Sequence, residues 1–247
     1  MRELVKRLAG LEHLDYTQLL IETNVFGRGK NLRRDHSALD ALREMMSLVE
    51  SDCDYQAARR VLQGEPLCSP EDMKVGCELE WETFFSRGRF ESLLYIGSGA
   101  CPAIALFVLK RDSKIVIDGI DIAPEATNLC LQLAARMGLR ERLCPSTQDA
   151  LTLSPDQIKA YDSFFISSAV RPKNEIILRL LEHKRNGAKI YGREDESHPD
   201  FYELVTVRHP DLLAAREARS IWLREKGPRH PMLKPEVSCE TLTSVFG

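Results

Sequence analysis

The chain has 247 residues, of which 43% are hydrophobic, and a net charge of −3, which fits one core domain with an appended smaller one. Acidic and basic residues are interspersed, which argues against a nucleic-acid partner. No apolar run approaches the roughly 18 residues of a membrane span, and the charges at Arg2, Glu3 and Lys6 argue against a signal peptide, so we expect no membrane partner.

Residues 1–88 are predicted to form an all-α domain. Hydrophobic residues recur at helical spacing at Leu39, Leu42, Met45, Met46 and Val49. A second helix is expected from Tyr55 to Leu62, ended by the Gly64-Glu65-Pro66 sequence. A third is expected from about residue 69 to residue 85. We expect this domain to cap the one that follows.

Residues 89–247 are predicted to form a Rossmann-like α/β domain. Strands are expected near 93–96, 114–120, 163–167 and 187–191, with a weaker candidate at 141–144. Helices are expected near 102–110, 124–137, 155–160 and 172–184. Such alternation is typical of a parallel sheet covered on both faces. The segments 204–207 and 220–223 are candidates for two further edge strands.

A glycine turn, residues 97–99, links the first strand of this domain to the following helix. About twenty residues later, the second strand ends on Asp121. The glycines allow positive φ and close approach of a ligand, and the acid is suited to accept hydrogen bonds from ribose hydroxyls. A dinucleotide needs a third glycine for its pyrophosphate, but Pro102 and Ala103 stand there. The turn therefore favours S-adenosylmethionine, which has a ribose and no phosphate.

The segment from Leu94 to Pro102, with Asp121, Ile122 and Pro124 after it, resembles the cofactor region of nicotianamine synthases. It is closer still to their bacterial relatives that make opine metallophores of the staphylopine and pseudopaline type. The resemblance spans residues 75–195 and includes Cys77-Glu78-Leu79-Glu80-Trp81, which is similar to a Leu-Glu-Tyr stretch of the plant enzymes. It implies a class I methyltransferase sheet preceded by a helical domain.

The resemblance also implies a reaction. Enzymes of this family move the 2-aminobutanoate group of S-adenosylmethionine onto the α-amine of an amino acid, histidine in the opine branch, and release methylthioadenosine. An amine that is mostly protonated needs a general base, and Glu80 matches the family's glutamate. Ala123 stands where staphylopine-type relatives carry a second acid, which favours L-histidine over D-histidine. An opine dehydrogenase is the implied pathway partner.

Each candidate site residue also has a structural explanation. Asp121 and Asp149 are typical helix or turn caps, Ser167 and Ser168 can cap a strand end, and Glu80, Arg193 and His36 can lie on solvated faces. We predict cofactor contacts at Gly97, Ser98, Gly99, Asp121, Ile122, Asp149 and Ser167. We predict substrate contacts at Glu80, Pro102, Ser168, Arg193 and His36, with Glu80 also catalytic.

Two other functions stay open from the sequence: an ordinary small-molecule methyltransferase, and a cofactor-binding protein without catalysis. The six histidines show no pair at ligand spacing, so we expect no metal site. The seven cysteines are scattered without a CxxC pair, which favours a reduced cytoplasmic compartment. The sequence leaves open whether the chain forms a homodimer.

Overall fold

The computed structural model describes residues 36–65, 77–78, 80–86, 90–193 and 205–214. A long helix, α1, precedes a six-stranded sheet whose strands alternate with helices. The main elements are α1 (His36–Gln63), β1 (Ser92–Ile96), α2 (Ala103–Arg111), β2 (Val116–Asp121), α3 (Pro124–Arg136), β3 (Leu143–Thr147), α4 (Pro155–Lys159), β4 (Ser163–Ile166), α5 (Lys173–His183), β5 (Lys189–Gly192) and β6 (Leu212–Ala214). A π-helical turn (Trp81–Phe85) and a 3₁₀ turn (Ala150–Thr152) complete them.

The sheet has the strand order β3-β2-β1-β4-β5-β6, and every neighbouring pair is parallel. From β1 the chain adds β2 and β3 on one side of the sheet and then β4, β5 and β6 on the other. The loops that follow β1 and β4 therefore diverge and leave a crevice. Ile96, the last residue of β1, lies opposite both Ile120 and Ile166. The ends of the three central strands therefore reach the same edge.

An aromatic core anchors the segment before β1 to one face of the sheet. The rings of Phe85 and Phe165 lie 5.8 Å apart, and those of Phe84 and Tyr191 lie 5.1 Å apart. The hydroxyl of Tyr191 also donates a hydrogen bond to the carbonyl of Phe84. Since offset and tilted ring pairs add to the stability that burial provides, the π-helical turn is held firmly against β4 and β5.

The prediction of two helices within residues 39–62 is wrong, because α1 is continuous. Its polar middle is supported by side chains four residues apart: Ser51 donates to the carbonyl of Ser47, and Gln56 donates to Asp52. The end at Gly64 is confirmed, with φ of 109° in the left-handed region. Neither α1 nor any other helix in the described residues is long and apolar enough to cross a membrane.

α1 packs across the carboxyl edge of the sheet rather than beside it. Its Ala58 and Val61 join one buried cluster with Ala100, Cys101, Ala126, Leu129 and Leu133. These partners come from the loop after β1 and from α3, so α1 covers the glycine turn. The cap role of residues 1–88 and the domain boundary at residue 88 stay predictions.

The expected edge strand at 204–207 is wrong, because residues 205–207 are not in a strand. The backbone N–H of Thr206 donates to the side chain of Asn174, and Val205 is buried against Gly192. The edge strand is β6, which pairs with β5 further along the chain. The weaker candidate at 141–144 is confirmed as β3, whereas residues 204 and 220–223 lie outside the described residues.

Candidate active site

The glycine turn has the backbone geometry that the sequence predicts. Gly97 and Gly99 have φ of 71° and 66°, in the left-handed region that side chains disfavour. The N–H groups of Gly97 and Ser98 both donate to the carbonyl of Ile120, at 2.9 and 3.1 Å. A β-carbon at Gly97 would lie 2.3 Å from a methyl group of Val170. Glycine is therefore required by both conformation and space.

The carboxylate of Asp121 fastens this turn to the end of β2. Its Oδ2 accepts a hydrogen bond from the N–H of Gly99, and its Oδ1 accepts one from the N–H of Ala123, both at 2.9 Å. Asp121 therefore has a structural role, because its carboxylate holds two backbone N–H groups in place. Each carboxylate oxygen has two acceptor sites, so both oxygens can still accept a ribose hydroxyl.

Ile122 and Asp149 lie on neighbouring loops beside Asp121. Ile122 is 77% exposed, unusual for a large apolar side chain. Asp149 is exposed and caps the 3₁₀ turn by accepting from the N–H of Leu151 at 2.9 Å. The N–H of Gln148 donates to the carbonyl of Asp121, which joins the two loops. An exposed apolar side chain near the carboxylate of Asp149 is suited to the face and amino group of an adenine.

The loop after β4 closes the other side of the glycine turn. The N–H of Ser167 donates to the carbonyl of Ile96 at 3.0 Å, and a β-carbon at Gly97 would lie 3.3 Å from the β-carbon of Ser167. Fully buried Lys173 donates to the carbonyls of Ser168 and Arg193 at 2.8 and 2.9 Å. This ammonium group fixes the ends of β4 and β5 to each other.

Glu80 and Arg193, which the sequence gives separate roles, form one partly buried ion pair. Nε and Nη2 of Arg193 both lie 2.6 Å from Oε1 of Glu80. Burial alone would lower the pKa of Arg193, but the charge of Glu80 outweighs it and raises that pKa. Glu80 is 8% exposed, and its Oε2 has no hydrogen-bond partner within the described part of the chain. This oxygen is therefore a buried acceptor available to a ligand.

Asp54 is a site residue that the sequence reasoning missed. A β-carbon at Gly99 would lie 2.2 Å from its Oδ2, so the carboxylate covers the glycine turn. It also accepts a hydrogen bond from the N–H of Cys101. Burial, reinforced by the charges of Glu50 and Asp121, raises the pKa of Asp54 to about 7. Its spacing in the sequence could have identified it, because Asp54 lies four residues before Ala58 and seven before Val61. These three positions share one face of a helix, and Ala58 and Val61 are buried.

Of the two remaining candidate residues, the structure describes Pro102 completely but not the side chain of His36. Pro102 is buried and shapes the tight turn into α2, in which the N–H of Ala103 donates to the carbonyl of Cys101 at 2.7 Å. His36 is the first residue of α1, and its side chain lies outside the described residues. Among the residues that the structure describes, no group of three or more His, Cys, Asp or Glu side chains is arranged to hold a metal ion.

Comparison with known proteins identifies the fold. No protein-family model matches the chain, and no curated protein matches it. A glutamate-to-glutamine mutant of MtNAS, a nicotianamine synthase, in complex with S-adenosylmethionine has a TM-score of 0.56 and 16% identity, over 83% of this chain and 85% of its own. The two proteins share a fold. MtNAS in complex with MTA and tNA gives a TM-score of 0.53 at 17% identity, over 76% and 79% of the two chains.

The predicted fold class is confirmed by this likeness and by the sheet order. The chain has the Rossmann-like parallel α/β sheet of S-adenosylmethionine-dependent enzymes, with helical structure N-terminal to it. At 16–17% identity the likeness establishes the fold alone. The chemistry has to be inferred from the residues at the carboxyl edge.

Proposed function

We propose that this chain is an S-adenosylmethionine-dependent transferase that moves the 2-aminobutanoate group of that co-substrate to the α-amine of histidine. The amine nitrogen attacks the γ-carbon of the aminobutanoate arm, and a C–N bond forms as the C–S bond breaks. The bonding electron pair returns to sulfur, so the sulfonium becomes the neutral thioether of methylthioadenosine. The proton displaced from nitrogen goes to Glu80 or to water.

The observation that carries this proposal is the buried Oε2 of Glu80, which has no hydrogen-bond partner among the described residues. A substrate ammonium donates protons only, and a buried carboxylate oxygen without a partner is a strong acceptor for it. Because Oε1 is held by Arg193, the orientation of Oε2 is fixed before substrate binds. A pre-oriented acceptor is what an amine needs if it is to lose a proton as it attacks.

The remaining residues divide between the two substrates in this proposal. Gly97, Ser98, Gly99, Asp121, Ile122, Asp149 and Ser167 contact S-adenosylmethionine, whereas Glu80, Pro102, Ser168, Arg193 and His36 contact the amino acid. Arg193 uses Nε and one proton of Nη2 on Glu80, and its outer N–H groups are suited to the carboxylate of histidine. L-histidine is preferred to D-histidine in this proposal, on the sequence grounds given for Ala123.

The proposed reaction fits the opine-metallophore branch of the nicotianamine synthase family. In that setting an opine dehydrogenase consumes the product in the cytoplasm, and the finished compound binds metal while the transferase itself holds none. A neighbouring gene for such a dehydrogenase would support this placement. The proposed transfer does not depend on it.

The test is to incubate the purified chain with S-adenosylmethionine and L-histidine and to identify the nucleoside product by mass. We expect methylthioadenosine, together with a histidine derivative heavier by one aminobutanoate group. Adenosylhomocysteine as the product would instead establish a methyltransferase, and binding without turnover of either kind would contradict catalysis. Parallel reactions with D-histidine measure the stereochemical preference.

A further inference from the structure

The position of Asp54 is unexpected for a turn that binds a nucleoside. Its Oδ2 would lie 2.2 Å from a β-carbon of Gly99, and the carboxylate accepts a hydrogen bond from the N–H of Cys101. The carboxylate therefore faces the same turn that the proposed cofactor contacts. Any ligand bound across Gly99 must meet this side chain.

The surroundings of Asp54 favour a positively charged ligand. Burial makes its ionised form unfavourable, and the charges of Glu50 and Asp121 add to this effect. Among the described residues, the cation that acts on it is Arg193, but this guanidinium is already bound to Glu80. The neutral groups within electrostatic reach of Asp54 are Tyr55, Tyr95 and Cys130.

An independent observation on Glu80 points the same way. Its buried Oε2 has no partner among the described residues. Tyr95, on β1, lies within electrostatic reach of both Glu80 and Asp54. Glu80 and Asp54 are therefore both charged neighbours of Tyr95, and the Oε2 of Glu80 can accept a hydrogen bond from a cation.

We propose that Asp54 selects the positively charged S-adenosylmethionine over neutral methylthioadenosine by pairing with a cationic group of the co-substrate. This inference rests on the proposed function. S-adenosylmethionine carries a sulfonium and an ammonium, and transfer removes both: sulfur becomes a thioether, and the arm with its ammonium leaves. Asp54 thus strengthens binding of the co-substrate and favours release of the spent nucleoside.

The direct test measures the dissociation constants of S-adenosylmethionine and methylthioadenosine by calorimetry, for the parent and for Asp54→Asn. We expect binding of S-adenosylmethionine to weaken roughly ten- to hundredfold, the usual loss when a hydrogen bond between charged groups is removed. Binding of methylthioadenosine should change less than about twofold, since it offers no charge to pair. The matched control is Asp52→Asn, the same chemical change at an exposed position of α1, which should leave both constants unchanged.

Adenosylhomocysteine distinguishes the two cations, because it keeps the ammonium and lacks the sulfonium. If Asp54→Asn weakens the binding of adenosylhomocysteine as much as that of S-adenosylmethionine, Asp54 pairs with the ammonium. If only the binding of S-adenosylmethionine is weakened, Asp54 pairs with the sulfonium. Either result supports the proposal.

A second measurement needs no variant and guards against misfolding of Asp54→Asn. In the parent, the ratio of the two affinities should shift towards S-adenosylmethionine as pH rises from about 6 to about 7.5, because Asp54 ionises over that range. A ratio that is independent of pH, or unchanged in a folded Asp54→Asn variant, overturns the role of Asp54 and leaves the proposed function standing. Failure of the parent to bind S-adenosylmethionine overturns both.

Discussion

The two halves of the candidate site are built in opposite ways. The cofactor half, consisting of the glycine turn and Asp121, comes from one β-α-β segment, and its backbone N–H groups donate either to the carboxylate of Asp121 or to the carbonyl of Ile120. The charged half, consisting of Asp54, Glu80 and Arg193, comes from three distant elements and contains a partly buried ion pair. The first half is specified by local sequence and the second by tertiary packing.

This contrast predicts different responses to substitution. In the cofactor half, backbone geometry determines whether a nucleoside fits, so changes there should affect binding of charged and neutral nucleosides alike. In the charged half, individual side chains provide the chemistry, so changes there should act selectively, on turnover or on the charged ligand. The predictions that follow test this division.

The largest effect is expected from Glu80→Gln. Removing a general base while keeping the shape should lower turnover by roughly 10²–10⁴, with little change in the affinity for S-adenosylmethionine. Steady-state kinetics and calorimetry measure the two quantities. Glu78→Gln, in the same helical segment, disrupts only a partly exposed pair with Arg111 and is the matched control. Near-normal turnover of Glu80→Gln would make Glu80 a structural residue.

Asp121→Ala should weaken the binding of both S-adenosylmethionine and methylthioadenosine, by roughly ten- to hundredfold each. Both nucleosides carry the ribose, and the variant also loses the acceptor that holds Gly99 in place. Turnover at saturating co-substrate should change less. Titration of both ligands against this variant and against Asp156→Asn, an exposed change on α4, provides the comparison. If the variant lost affinity for only one of the two nucleosides, the proposed division of the site into two halves would be contradicted.

Gly99→Ala tests the contact between the two halves. An alanine in the left-handed region costs roughly 1–2 kcal/mol, and here its β-carbon would also displace Asp54. Gly138 has nearly the same φ, 67°, with no atom within 4 Å of such a β-carbon, so Gly138→Ala measures the conformational cost alone. Urea unfolding should show the larger loss for Gly99→Ala, and the excess should vanish in an Asp54→Ala background.

The smallest effect concerns stability without ligand. The pKa of Asp54 is raised from 3.8 to about 7, so between these values the folded chain holds a proton that the unfolded chain has released. Stability from this group is complete below about pH 4 and is lost as pH rises to about 7. Asp54→Asn lacks this titration and should melt at a higher temperature than the parent at about pH 8, by roughly 2–4 °C for each kcal/mol. Thermal melts at several pH values should show the difference narrowing towards about pH 5.

The same contrast explains how much the sequence revealed. Apolar runs bounded by turn residues located the strands that became β1, β2, β4 and β5, and β1, β4 and β5 are buried on both faces. The weaker candidate became β3, in which exposed residues alternate with buried Leu143 and Pro145. The glycine turn and Asp121 were found together because one short segment contains them. Glu80 and Arg193 were each singled out, but no spacing along the chain predicts that they form an ion pair.

The errors arose where tertiary contacts override local preference. The sequence predicts separate helices on the two sides of Asp52, yet side-chain hydrogen bonds one turn apart maintain a single helix there. Val205 and Val207 have high strand propensity, but β5 pairs with β6 instead, where Asp211 bonds Lys184 and Lys189. Edge strands are chosen by their partner more than by their own sequence.

The rate at which Lys173 is acylated can report on opening of the β4–β5 edge. Its amine has no exposed surface and is bound to the carbonyls of Ser168 and Arg193, so an acylating reagent can reach it only when that edge opens. Lys110 and Lys159 are exposed and should react without such opening. The delay of acylation at Lys173 relative to these two lysines therefore reports how often the strand ends that hold Arg193 separate in the native protein.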